Sequence, residues 1–281
     1  MTMQDGAGGT MQRLMLDLDG TRLAVTRRGA GPALVCLHAI GHGARDFDRL
    51  GERLAAHVSV IALDFPGHGD SPVDGRAPAP AHYADLLGRA ADALGLKRFA
   101  ILGNSIGGAT AVRYAAANPE RVGALVLCNS GGLQPVGLLA RLYCNRMARF
   151  FDTGARGDKG FPKRFRRYYE RTVLPTPAAA WRREEIIADG TKTAPLLAAA
   201  WREFARPEAD IRALAPKLAC PVLYAWAKDD QAIAWSRSKR AALRAPDHTV
   251  KLFDGGHAAF LEQPDAFDAA LLAFKDHCLA A

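Results

Sequence analysis

The run Phe99-Ala100-Ile101-Leu102-Gly103-Asn104-Ser105-Ile106-Gly107-Gly108 constrains this chain more than any other stretch. Phe99 to Leu102 reads as a buried strand that stops at Gly103. The small residues Ala109 to Ala117 read as a helix. Between them stands G-x-S-x-G, in the strand–turn–helix setting that gives the motif meaning. A serine at the apex of such a turn sits in sparsely populated backbone geometry. Glycines on both sides let neighbouring backbone approach without a Cβ clash. The turn would lift Ser105 Oγ out of the sheet and leave the Ile106 N–H at a helix N-terminus, facing a developing oxyanion. A plain strand–glycine–helix junction would show the same five residues, so the rest of the chain must decide.

The chain alternates strands and helices on both sides of this run. Leu14–Leu18 and Leu23–Thr26 read as a hairpin about Asp19-Gly20. Pro32–Leu37, Val58–Leu63, Val122–Leu127, Pro221–Trp226 and His248–Phe253 read as further strands, most of them continuous apolar runs as in buried parallel sheets. Helices are expected at about Arg45–Ala56, Tyr83–Leu94 and Ala234–Leu243, and from Pro264 onward. The fold class is therefore α/β, with an eight-stranded, mostly parallel sheet flanked by helices.

The rhythm is lost from residue 132 to 207. Aromatic and basic residues crowd this segment, and Pro162, Pro175, Pro177 and Pro195 interrupt its helical patterns. A stretch that long is expected to be a helical insertion rather than a loop. The core domain is then 13–131 plus 208–281, preceded by a flexible tail, 1–12.

Of the 281 residues, 49% are hydrophobic, enough for a sizeable core. No uninterrupted apolar run is long enough to span a membrane. No apolar leader is visible near Met1, so a cytoplasmic location is expected. Neither membrane nor nucleic acid is expected as a partner, only a small-molecule substrate; the oligomeric state is not legible. The net charge of +8 is uneven: Arg141 to Arg171 holds ten Lys/Arg against three acids. With no nucleic-acid module beside it, this reads as a solvated helical face that could also draw an anionic substrate. The five cysteines show no metal-binding spacing, and no metal or other cofactor is expected.

Three groups stand just after strand ends, in the order Ser105, Asp230, His257, where ligands gather in open parallel sheets. A serine hydroxyl needs a base within reach. His257 would take its proton, and Asp230 would orient the imidazole. Asp229 is the rival acid. His42 and His68 are loop histidines that read as structural. The loop His38-Ala39-Ile40-Gly41 suits close backbone approach to a ligand, making His38 and Gly41 pocket candidates and the Ile40 N–H the second oxyanion donor.

These motifs resemble the α/β-hydrolase family over nearly the whole chain: the His38–Gly41 loop, Asp64 to Ser71, the Gly103–Gly108 elbow, the strand before Asp230, and Gly256-His257 followed by Glu262-Gln263-Pro264. The resemblance implies the α/β-hydrolase fold, a Ser–Asp–His triad and, at 132–207, a helical cap over the site. It favours Asp230 over Asp229. Some relatives carry the acid after the preceding strand, where this chain has Asn129. Alanine stands at residue 39, where relatives usually have glycine. Relatives that open epoxides or remove halides use aspartate at the elbow, so Ser105 argues for ester, lactone or thioester hydrolysis, or perhydrolysis. The loop His38–Ala44 is also similar to that of meta-cleavage-product hydrolases, which split carbon–carbon bonds. There Asn104 would contact substrate and a basic residue such as Arg182 or Arg183 would hold its carboxylate. Ala258, a further pocket candidate, stands where those enzymes usually have tryptophan, and His42 where they have proline. Ester hydrolysis is the first expectation, carbon–carbon hydrolysis the second, and a ligand-binding protein with slow turnover the third.

Overall fold

In the computed structural model, which describes residues 10–278, eight strands form one sheet in the order β1-β2-β4-β3-β5-β6-β7-β8. They are β1 (Gln12–Leu18), β2 (Thr21–Arg28), β3 (Ala33–Leu37), β4 (Ser59–Leu63), β5 (Phe99–Asn104), β6 (Val122–Cys128), β7 (Val222–Ala227) and β8 (His248–Phe253). β2 pairs antiparallel with both β1 and β4, and every other pairing is parallel. The expected α/β-hydrolase sheet is thus present. Of the expected tail 1–12, residues 1–9 lie outside the described residues, and Gln12 already belongs to β1. The hairpin turns on Asp19 and Gly20, both at positive φ, the backbone a tight two-residue turn needs.

β4, β5, β6 and β7 are buried along their whole length, because helices cover both faces. These are α1 (Asp48–Leu54, preceded by a 3-10 turn Ala44–Phe47), α2 (Pro80–Ala93), α3 (Ile106–Ala117) and, between β6 and β7, α4 (Leu138–Ala155), α5 (Phe161–Tyr168), α6 (Ala180–Ala188) and α7 (Gly190–Phe204). After β7 come α8 (Trp235–Ala242), the short α9 (Ala259–Glu262) and α10 (Pro264–Cys278). The segment between β6 and β7 contributes no strand. Its prolines largely open elements rather than end them: Pro162 is in the first turn of α5 and Pro177 starts a 3-10 turn, while Pro195 lies inside α7. α5 runs into a π-helical turn, Tyr169–Val173. Such turns are rare and frequently mark functional sites.

The chain leaves β3 towards β4 on one side and later returns to β5 on the other. The carboxyl ends of β3 and β5 therefore flank a topological switch point, the usual ligand crevice of such sheets. Close approach there explains two glycines. A Cβ on Gly107 would lie 2.2 Å from Leu37 O, and one on Gly103 would lie 2.5 Å from Gly107 O. Since the obstacle is backbone, Gly107→Ala is expected to lower stability by roughly 3 kcal/mol, measured by thermal or urea unfolding.

Candidate active site

Ser105 links the end of β5 to α3 with φ 57° and ψ −116°, a strained conformation for a residue with a side chain. Backbone hydrogen bonds hold it there. Its N–H donates to Cys128 O at 3.1 Å, and its carbonyl accepts from Gly131 N at 2.9 Å and Ala109 N at 3.1 Å. Its Oγ makes no hydrogen bond among the described residues. Catalytic hydrogen bonds of this kind often tighten only with substrate bound.

Asp230 and His257 meet 27 residues apart in sequence. His257 Nδ1 and Asp230 Oδ2 are 2.7 Å apart. The same oxygen accepts Asn129 Nδ2 at 2.7 Å, and Oδ1 accepts the N–H groups of Ala232 and Ile233, each at 2.8 Å. Burial alone would raise the Asp230 pKa, but the His257 charge and these donors hold it below the usual carboxylate range. Burial would likewise lower the imidazole, yet the Asp230 carboxylate overrides it and holds His257 above its ordinary value. Asp229, the rival acid, is exposed, and its N–H donates to Gly255 O at 3.2 Å.

Ser105, Asp230 and His257 all line one cavity of about 580 Å3, together with Ile40 and Ile106. The N–H groups of Ile40 and Ile106 meet no acceptor among the described residues. The far wall is mostly apolar and comes from the helical segment: Phe151, Tyr168, Tyr169, Val173, Leu197 and Trp201. The π-helical turn supplies Tyr169 and Val173. Other aromatics of this segment, Phe161 and Phe165, are fully buried and form its core.

None of the five residues expected at the pocket wall, His38, Gly41, Asn104, Arg182 and Ala258, lines this cavity, and each is employed elsewhere. His38 is fully buried, with Nδ1 2.7 Å from Ala39 O while Nε2 accepts the Phe65 N–H at 3.0 Å. That pattern requires a neutral ring, and burial first, then neighbouring His68, keeps its pKa well below the ordinary value. Gly41 donates its N–H to His68 Nε2 at 2.9 Å. His38 and His68 thus brace the loop that carries Ile40. Asn104 Nδ2 donates to His257 O at 2.9 Å and Cys128 O at 3.0 Å, so it ties the elbow to the histidine loop rather than facing a ligand. Ala258 is buried beneath that loop.

Arg182 departs most from expectation. Its Nε donates to Asp46 Oδ1 at 2.6 Å and its Nη1 to Glu185 Oε2 at 3.1 Å. Asp46 Oδ2 lies 2.7 Å from His42 Nδ1. The guanidinium is therefore neutralised between two carboxylates and is not left to clamp a substrate anion. Arg183, the other candidate, donates from Nη1 to Leu174 O at 2.8 Å.

Two supporting residues were not legible as such. Asn129 both donates to Asp230 and accepts the Ala227 N–H at 2.9 Å, locking the end of β7. The Glu262 carboxylate accepts the consecutive N–H groups of Gly256, His257 and Ala258 at 2.9–3.0 Å. The spacing Gly256-His257…Glu262 was visible in sequence, but this anion nest was not. Glu262→Gln leaves one acceptor for three donors. It is expected to destabilise by roughly 2 kcal/mol and to lower kcat more than it raises KM, because the His257 loop loses its seat; unfolding and steady-state kinetics together check this.

Residues 34–270 match the alpha/beta hydrolase family. Uncharacterized proteins of Mycobacterium bovis and Mycobacterium tuberculosis are 32% identical over 141 residues, covering 50% of this chain and 41% of theirs. The chain thus aligns with less than half the length of these relatives. The 2-hydroxy-6-oxononadienedioate/2-hydroxy-6-oxononatrienedioate hydrolase 2 of Pseudomonas putida is 29% identical over 269 residues, 87% of each chain. Among solved structures, a thermophilic esterase from Thermogutta terrifontis superposes with a TM-score of 0.78 at 22% identity, over 95% of this chain and 99% of that one.

Proposed function

The chain belongs to the alpha/beta hydrolase family, and from that premise we propose that it is a serine hydrolase of carboxylic esters, lactones or thioesters with a largely apolar acyl or alcohol part. The observation that carries this reading is the strained Ser105 sharing one mostly apolar cavity with a buried His257–Asp230 pair.

In this reading Ser105 Oγ attacks the carbonyl carbon and His257 Nε2 takes its proton. Charge gathers on the carbonyl oxygen, which the Ile40 and Ile106 N–H groups receive. The imidazolium passes its proton to the leaving alkoxide or thiolate, and an acyl-enzyme remains. Water, deprotonated by His257, then releases the acid. Asp230 stays ionised throughout and steadies the imidazolium. Residues 132–207 act as a cap that walls the site and selects the substrate.

A second reading, hydrolysis of a carbon–carbon bond in a vinylogous diketone, is favoured by the likeness to the Pseudomonas putida hydrolase. The neutralised Arg182 counts against it, because substrates of that kind carry carboxylates and the cap offers this one no unpaired arginine at that position. Steady-state hydrolysis of p-nitrophenyl acetate, butyrate and octanoate beside a 2-hydroxy-6-oxo-dienoate separates the two. Ser105-dependent turnover of the esters supports the first reading. Rapid bleaching of the dienoate with feeble ester turnover replaces it with the second.

A further inference from the structure

The cavity opens to solvent where its lining residues are exposed: at the start of α4, and at Gln231 and Arg237. The start of α4 presents an unusual surface. Leu138 is 73% exposed, Leu139 82%, Leu142 53% and Tyr143 38%. Leu138, Leu139 and Tyr143 line the mouth itself, and Leu142 lies one turn on from Leu138, on the outward face. Large apolar side chains clustered in water at the rim of an apolar cavity mark a contact surface rather than chance exposure.

The charges beside them indicate what that surface meets. Arg141 and Arg146, on the same helix, are exposed, and no carboxylate among the described residues pairs with either. Further along the segment the pattern differs: Arg164 pairs with Asp158, and Arg166 with Glu170 and Glu184. On the same cavity lining, Arg237 is exposed and donates only to a backbone carbonyl, Gln231 O, at 3.2 Å. The exposed apolar start of α4 thus carries Arg141 and Arg146, and Arg237 joins it on the lining of the cavity.

We propose that the start of α4 docks this protein on an anionic phospholipid surface, so that the cavity receives ester substrates directly from the lipid layer. Leucines enter the interface while arginines face the headgroups, the arrangement of helices that lie on membranes rather than cross them. No helix among the described residues is long and apolar enough to span a bilayer, which is consistent with such surface attachment. The inference rests on the serine-hydrolase reading for the identity of the substrate but not for the docking itself.

The test separates the two. Ser105→Ala, which leaves lipid intact, is sedimented with phosphatidylcholine vesicles with and without phosphatidylglycerol. Binding is expected on the anionic vesicles and is expected to weaken as salt is raised. Arg141→Gln with Arg146→Gln, on the same background, is expected to weaken it about thirtyfold and to erase the preference for anionic lipid. Leu142→Gln is expected to weaken binding to either vesicle about tenfold. With Ser105 restored, the same three substitutions are expected to leave hydrolysis of soluble p-nitrophenyl butyrate unchanged. Absence of vesicle binding, or binding indifferent to these substitutions, overturns the proposal. So does a solution dimer that Leu142→Gln dissociates, which would make the patch a contact between two copies. Failure of Ser105-dependent ester hydrolysis would instead remove the serine-hydrolase reading and leave the vesicle result to stand alone.

Discussion

Ser105→Ala is expected to reduce ester hydrolysis by about 10⁴- to 10⁶-fold while leaving unfolding unchanged within about 0.5 kcal/mol. Two observations fix the asymmetry. The hydroxyl makes no hydrogen bond among the described residues, so its loss leaves no buried partner unsatisfied. The strain at φ 57° belongs to the backbone, and alanine inherits it unchanged. A fall in activity with intact stability assigns the loss to chemistry. Activity within tenfold of wild type would show that the nucleophile is elsewhere. Mass spectrometry after a p-nitrophenyl ester pulse adds a direct readout, since only the parent protein should gain the acyl mass.

Asp230→Asn is expected to cost about 10⁴-fold in kcat/KM, and its pH profile should discriminate more sharply than its magnitude. An imidazole acts as a base only when neutral, so if His257 fills the proposed role, activity rises as pH increases through its pKa. In the parent protein that pKa lies above the ordinary histidine value, held there by the Asp230 carboxylate against burial. The acid limb of kcat/KM should therefore fall above the usual histidine range. In the asparagine variant the carboxylate charge is gone and burial remains, so the limb should move to lower pH. Asp229→Asn, on an exposed side chain, should leave both rate and limb in place. A limb that does not move with Asp230→Asn would mean that another group sets the profile.

Much of this protein is legible in its sequence because the sheet is buried on both faces. Continuous apolar runs mark β4 to β7 to within a residue or two, and β8 is read from His248 to Phe253 as it stands. The start of α3 is read three residues late. Ile106-Gly107-Gly108 has weak intrinsic helix preference, and the helix forms there because it packs against Leu37 and Ser130 at distances only glycine allows. The predicted helix Arg45–Ala56 divides into a 3-10 turn and α1, since the Asp64 carboxylate takes the Ala44 N–H at 2.6 Å and shapes its start. Candidate reactive residues follow strand ends and are therefore visible. Pocket residues are harder, because a side chain's direction depends on partners far off in sequence. Arg182 looks like a ligand for anions until Asp46, 136 residues earlier, is placed beside it. Asn104 looks accessible until the carbonyl of His257 takes its amide.

The Arg182–Asp46–His42 cluster also bears on how substrate reaches the serine. It joins α6 to the loop after β3 through charges that are almost wholly shielded from water. Pulling α6 away would strand a carboxylate in the interior, a penalty of roughly 3–5 kcal/mol. α6 is a fixed post. No ion pair among the described residues fixes the first turns of α4, which rest on α7 through the ring contact of Tyr143 with Trp201. Traffic in and out of the cavity should therefore run past α4. Turnover should respond to the width of that gap, whereas a cross-link holding α6 to the core should leave the rate of substrate passage unchanged.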